Sequence, residues 1–143
     1  MNFNNYTIKS QEAIQQAQQI AQSYGHQQIE NEHLFKAIFE VDENVLPFLL
    51  KKLNINIPVL QQALDKQLES FSKVSGGDIM ISKEASKTLN EASIIAKKMN
   101  DEFVSIEHLI LAVFLSKSKI AQMLRQRRLE QGSVAYNRPE VKI

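Results

Sequence analysis

The sequence of 143 residues contains no cysteine, which excludes disulfides, thiolate metal sites and thiolate nucleophiles. No apolar run approaches the roughly 20 residues that span a bilayer, and the residues after Met1 lack the charged and apolar regions of a signal peptide. No glycine-rich loop ends in Gly-Lys-Ser or Gly-Lys-Thr, so nothing indicates an ATPase. We therefore expect a cytoplasmic chain that is not itself an enzyme, needs no cofactor and has no membrane partner.

A basic stripe is also missing. The net charge is +1, but residues 1–124 carry 12 Lys against 14 Asp and Glu, a net charge of −2, and residues 125–143 carry +3. A mildly acidic body is not typical of nucleic-acid-binding domains, so we expect no nucleic-acid partner. The basic end is interpreted as a solvated tail, with contact to phosphate or a membrane surface as the alternative.

What the chain does contain is an internal repeat. Residues 6–50 align with residues 81–125 at a constant offset of 75. Identical residues occupy nine positions of this alignment: Ala17 and Ala92, Ile20 and Ile95, Ala21 and Ala96, Glu32 and Glu107, His33 and His108, Leu34 and Leu109, Ala37 and Ala112, Phe39 and Phe114, Leu49 and Leu124. A duplication at a fixed period constrains the fold strongly and predicts a pseudo-twofold arrangement.

Apolar residues recur at three- and four-residue spacing almost throughout, which predicts helices. Seven are expected, four in the first half and three in the second, over residues 10–24, 31–40, 44–53, 58–70, 82–100, 105–115 and 117–126. The offset also predicts an eighth helix near Gly132. No helical stripe is present there, and Pro139 would break one. The predicted fold is therefore all-α. It consists of two tandem pseudo-symmetric helical repeats with seven to eight helices in total, and the last helix of the second repeat is missing.

The predicted domain covers residues 1–128. Repeat one spans about 6–70, a linker with the loop-like run Ser75-Gly76-Gly77-Asp78 spans 71–80, and repeat two spans about 81–128. Residues 129–143 are predicted to be an irregular basic tail.

The motif Glu32-His33-Leu34 lies at the start of a helix and recurs 75 residues later as Glu107-His108-Leu109. This repeated motif resembles the Clp repeat. The helix pattern of residues 13–21 and the Gly-Gly-Asp linker do so too. This repeat forms the N-terminal domain of Clp-type AAA+ unfoldases, and the spacing is most similar to that of the ClpB disaggregase. The resemblance implies a substrate-recognition domain that binds unfolded or aggregated polypeptides, or docks an adaptor protein, for delivery to the AAA+ ATPase modules of a parent or related chain.

The resemblance also implies site residues. In ClpB-type domains the client surface combines a hydroxyl near the first helix with two acids beside the sixth, which correspond to Thr7, Asp101 and Glu107. In ClpC-type domains a pair of glutamates, here Glu32 and Glu107, binds phosphorylated arginine through its guanidinium. The second arrangement supports an alternative function, a ClpC- or ClpA-like docking domain for an adaptor or for phosphoarginine-marked substrates.

Each of these residues also has a structural interpretation. Thr7 can cap its helix, Asp101 can be a turn residue, and a glutamate in a first helical turn complements the helix dipole. An unfolded client requires an apolar groove as well. Tyr6 and Phe103 are predicted to line it, because they lie outside the helical stripes and beside the polar candidates.

The three histidines, His26, His33 and His108, raise the alternative of a metal protein. No histidine lies four residues from another and no thiolate is available, so we interpret them as structural and expect no metal. A catalytic triad is likewise not indicated, since no nucleophile turn accompanies the serines.

Overall fold

The computed structural model describes residues 2–74 and 76–130, the last four of these by backbone only. Helices dominate: α1 (Ile8–Ser23), α2 (Asn31–Val41), α3 (Val45–Lys52), α4 (Ile57–Ser70), α5 (Lys83–Lys98), α6 (Ile106–Leu115) and α7 (Lys119–Glu130). Two strands of two residues each, β1 (Gln28–Ile29) and β2 (Met80–Ile81), complete the fold. The all-α prediction and the four-plus-three division of the helices are therefore confirmed within the described residues.

The predicted helix bounds agree with the observed ones to within a few residues, and local chemistry explains the starts. Thr7 and Ser82, equivalent under the offset of 75, cap α1 and α5, each hydroxyl accepting the backbone N–H three residues on, from Ser10 and Ala85. At the far end, α7 runs to Glu130. Residues 129 and 130, assigned to the irregular tail from sequence, are thus helical. Residues 131–143, where the missing helix was expected, lie outside the described residues.

The two repeats are joined by backbone pairing that the helical pattern did not predict. Strands β1 and β2 are parallel and pair Ile29 with Ile81, and an isolated parallel bridge pairs Tyr6 with Val104. Under the offset, Tyr6 corresponds to Ile81 and Ile29 to Val104. The segment before the first helix of each repeat therefore pairs with the segment before the second helix of the other, which is the predicted pseudo-twofold relation.

Helices α2 and α6 lie at the centre of the domain. They contact each other, and between them they contact the other five helices. Their apolar side chains form the middle of the core, with Leu34, Phe35, Ile38, Leu109 and Val113 all at most 2% exposed. The second helix of each repeat is therefore the element on which the position of the others depends.

The core position at the start of α2 differs in polarity from its equivalent in α6. Asn31, the first residue of α2, is 1% exposed, and neither its amide oxygen nor its amide nitrogen has a hydrogen-bond partner among the described residues. Its equivalent in α6 is Ile106, which is also buried. Repeat one thus buries an amide where repeat two buries a branched alkyl group.

We expect Asn31→Ile to raise the free energy of unfolding by about 1 kcal/mol, because it removes a desolvated amide that gains no hydrogen bond in return. The melting temperature should rise by roughly 2–4 °C, measured by circular dichroism. The reciprocal change Ile106→Asn serves as the control and should lower it. A lower melting temperature for Asn31→Ile would contradict the expectation.

Candidate functional site

One edge of the domain brings the predicted hydroxyl and the predicted aromatic together. The Thr7 amide donates to the Val104 carbonyl at 3.0 Å, and the Val104 amide donates to the Asn5 carbonyl at 2.8 Å. Phe103 precedes Val104 and is 46% exposed, and Ile8 follows Thr7 and is 77% exposed. Two large apolar side chains therefore lie within one residue of the bonded pair. We call these four residues, Thr7, Ile8, Phe103 and Val104, the bridge edge.

Asp101 lies in the loop that leads to this edge. Its Oδ2 is 2.8 Å from the Nε2 of His108, and the Nδ1 of His108 accepts the backbone N–H of Ser105 at 2.9 Å. With Nδ1 accepting, Nε2 is the donor to Asp101, and the imidazole ties the carboxylate to the start of α6. The Asp101 side chain remains 48% exposed, so it is held in place and still accessible to a ligand.

Tyr6 does not line a groove, contrary to the prediction. Its side chain is 5% exposed, packs edge-to-face against Phe3 at 5.1 Å between ring centres, and donates its hydroxyl to the Leu89 carbonyl at 3.1 Å. Burial raises the pKa of the phenol. The prediction failed because the backbone of Tyr6 pairs with that of Val104. This pairing directs the Tyr6 ring into the core although the residue lies outside every helical stripe.

The two equivalent glutamates lie in different environments. Glu32 is 5% exposed, and its Oε2 accepts the backbone N–H of Ile120 at 3.3 Å, near the start of α7. Burial raises the pKa of this carboxyl, although the amides of Ile120 and Lys119 oppose the shift. Glu32 is thus engaged across the repeats and is not a surface acid.

Glu107 is half-buried and lines a cavity of about 470 Å³ beside α3. The other residues around this cavity, which we call the α3 cavity, are Glu43, Asn44, Val45, Pro47, Phe48 and Lys51. Thr7, Asp101 and Phe103 are not among them. The structure therefore places the predicted acid Glu107 in a separate cavity, in the first turn of the helix that begins after the bridge edge.

Each of the three histidines is hydrogen-bonded within the domain. His33 Nδ1 accepts the Glu30 amide at 2.8 Å, as His108 does for Ser105, and His33 Nε2 lies 2.8 Å from His26 Nδ1. His26 is the equivalent of Asp101 under the offset. Burial lowers the pKa of His33 to about 4, with His26 adding to the shift. Among the described residues no three His, Cys, Asp or Glu side chains are grouped so as to hold a metal ion.

A duplicated helical domain with crossed pairing between its repeats agrees with the resemblance noted in the sequence. The family model described as the Clp repeat (R) N-terminal domain matches residues 5–127. The chain belongs to this family. The ClpB chaperones of Bacteroides thetaiotaomicron and Porphyromonas gingivalis are 46% and 40% identical to it over 125 residues. These alignments cover 87% of the chain and 14% of each relative, so this Clp N-domain spans about one seventh of the ClpB proteins that it matches.

Solved structures show the same fold. The Hsp104 N-terminal domain from Candida albicans matches with a TM-score of 0.74 at 19% identity, covering 90% of this chain and 83% of that one. The N-terminal domain of the ClpV1 ATPase from Escherichia coli matches with a TM-score of 0.75 at 17% identity, covering 91% and 85%. In the described part of the Clp N-domain, no helix is both long and apolar enough to cross a membrane.

Sequence reasoning missed an exposed apolar residue at each of these two places in the Clp N-domain, the bridge edge and the α3 cavity. Ile8 belongs to the bridge edge, and Phe48, 47% exposed, lines the α3 cavity. The sequence did contain a signal for Ile8. It lies off the stripe that α1 buries, on a face that usually carries polar residues in an amphipathic helix. Phe48 gave no such signal, since it sits in a run of apolar residues that are mostly core.

Proposed function

We propose that this domain binds unfolded or aggregated polypeptides and presents them to the ATP-driven unfoldase modules of a ClpB-like chaperone. The observation that carries the proposal is the bridge edge, where two exposed apolar side chains flank a backbone pairing and an accessible carboxylate, Asp101, lies close by in the chain. Unfolded clients expose apolar segments that such an edge can cover. Glu107 in the α3 cavity adds a second acid for cationic client residues.

Weak and broad binding is the expected mode. The bridge edge offers two exposed apolar side chains, Ile8 and Phe103, and so a small apolar contact area. A client that must pass to a pore benefits from release, and tethering the domain to the ATPase modules would raise the effective client concentration there. An adaptor protein on the same surface remains compatible with this function.

The test is a titration of the 143-residue chain with a permanently unfolded cationic protein, reduced and carboxamidomethylated lysozyme, followed by fluorescence anisotropy. Phe103→Ala should weaken binding about five- to tenfold, because the half of the ring now exposed would contribute roughly 1 kcal/mol on burial. Glu107→Gln should weaken it about two- to threefold and reduce its dependence on salt, since one screened charge contact is lost. Asp101→Asn keeps an acceptor for His108 and should act like Glu107→Gln.

Two controls separate binding from folding. Thr7→Ser retains the helix cap and should leave the melting temperature nearly unchanged, while Val59→Ala removes an exposed apolar side chain from α4, outside the bridge edge. If Phe103→Ala and Val59→Ala bind alike, the bridge edge is not the client surface. Selective capture of a phosphoarginine peptide over its unmodified twin would instead favour the docking function, which is disfavoured by the burial of Glu32.

A further inference from the structure

The two glutamates of the repeat are equivalent in sequence, so their different environments need a cause. The third helices of the repeats show it. Under the offset of 75, Ile120, the second residue of α7, corresponds to Val45, the first residue of α3. At the N-terminus of each helix the first backbone N–H groups have no acceptor within the helix, so another group must supply one. The repeats supply that acceptor differently.

In repeat one the acceptor comes from the adjoining turn. Asp42 follows α2 and accepts the backbone N–H groups of Asn44, Val45 and Leu46 at 3.2, 3.2 and 2.8 Å. Both carboxylate oxygens of Asp42 accept these bonds, and the residue is 2% exposed. The first turn of α3 is therefore already occupied. Glu107 lines the same cavity as Val45 and is half-buried.

In repeat two the residue equivalent to Asp42 is Lys117, which has no acceptor atom in its side chain. Ser118 accepts the amide of Ala121 at 3.1 Å. The amide of Ile120 is met from the other repeat, by Glu32 Oε2 at 3.3 Å. The position that Asp42 fills in repeat one is thus filled in repeat two by the equivalent of Glu107.

We propose that residues 42 and 117 determine which glutamate of the pair is withdrawn from the surface. With Asp42 in place, Glu107 stays at the wall of the α3 cavity. With Lys117 in place, Glu32 is drawn in as a helix cap that joins α2 to α7. The consequence for ligands rests on the proposed function: of the two glutamates, Glu107 is the one that stays at the surface, and recognition of a ligand through both glutamates at once is closed to this chain.

The deciding variant is Lys117→Asp, at an exposed position. The new carboxylate should take the amide of Ile120 as Asp42 takes that of Val45, and Glu32 should be released to solvent. Two ligand-free NMR measurements on the 143-residue chain report this. The first follows the pKa of the Glu32 carboxyl, which should fall from its raised position toward the ordinary glutamate value.

The second measurement is hydrogen exchange at the Ile120 amide. Glu32→Gln should reduce the protection of the Ile120 amide about tenfold in the otherwise unsubstituted chain. In the Lys117→Asp background the same change should reduce it less than about twofold. Lys117→Ala is the control, since it removes the ammonium without supplying a carboxylate, and it should behave as the parent.

The inference is overturned if Ile120 protection still depends on Glu32 in Lys117→Asp, or if Lys117→Ala releases Glu32 equally well. Because neither measurement uses a client, failure here leaves the proposed function standing, and failure of the client titration leaves this inference standing.

Discussion

Replacing Phe35 with alanine is expected to lower the free energy of unfolding by about 3–5 kcal/mol. Phe35 is fully buried in α2, and its ring packs edge-to-face against Phe39 at 5.4 Å between ring centres. The change removes the transfer free energy of the ring and leaves a cavity in the helix on which the other helices depend. For a domain of this size the melting temperature should fall by roughly 10–15 °C, as measured by calorimetry.

Phe103→Ala is the matched control for this experiment. The same atoms are removed from a ring that is 46% exposed at the bridge edge, so we expect a loss of less than about 1 kcal/mol. The two substitutions should thus separate cleanly, one acting on stability and the other on client binding. Equal melting temperatures for the two variants would show that α2 is not the centre of the core.

Acidification should destabilise the domain through the pair formed by His26 and His33. Burial is the main cause that lowers the pKa of both rings, and that of His33 reaches about 4 from an ordinary value of 6.5. Lys73 adds to the shift of His26, whereas Glu69 and Glu30 oppose it. In the folded state the two rings are neutral, and His26 Nδ1 lies 2.8 Å from His33 Nε2, within hydrogen-bond distance.

The direction follows from proton binding in the two states. Between pH 6.5 and about 4 the unfolded chain binds a proton at His33 that the folded chain does not. The stabilisation is therefore complete above pH 6.5 and is lost as the pH falls, by about 3 kcal/mol at pH 4 for His33 alone. Glu32 acts in the opposite sense, because its raised pKa favours the folded state on protonation.

Urea unfolding at pH 7 and at pH 4 measures this loss, and His33→Gln isolates it. A glutamine at this position can still accept the Glu30 amide, as in a capping box, so the variant should lose only about 1 kcal/mol at pH 7. It should then lose far less than the parent chain between pH 7 and pH 4. An unchanged pH profile in His33→Gln would assign the acid sensitivity to other groups.

Much of the fold could be read from periodicity. The stripe of Ala17, Ile20 and Ala21 and its copy at Ala92, Ile95 and Ala96 predicted α1 and α5 because an amphipathic helix must bury one face. The caps at Thr7 and Ser82 followed from the same local rules. Strands β1 and β2 could not be found this way, since two residues give no measurable alternation and their pairing is a contact between distant segments.

The candidate site was predictable only in part, as its residues show. Phe103 and Asp101 are exposed, whereas Tyr6 is buried and Glu32 is bonded to α7. Yet Tyr6 lies beside Thr7 in sequence, and Glu32 has the same local context as Glu107. Pattern analysis treats equivalent positions as alike. Whether an equivalent side chain is free depends on what the neighbouring repeat supplies, and in this chain that differs between Asp42 and Lys117.

The sequence by itself determined the duplicated helical architecture and the family, because helix formation and capping depend on residues within a few positions of each other, and the repeat copies them at a fixed offset. The tertiary structure alone decided which copies of the repeated residues face solvent. Burial and long-range hydrogen bonds, such as that from Ile120 to Glu32, are set by packing between segments nearly ninety residues apart, and no local pattern contains that information.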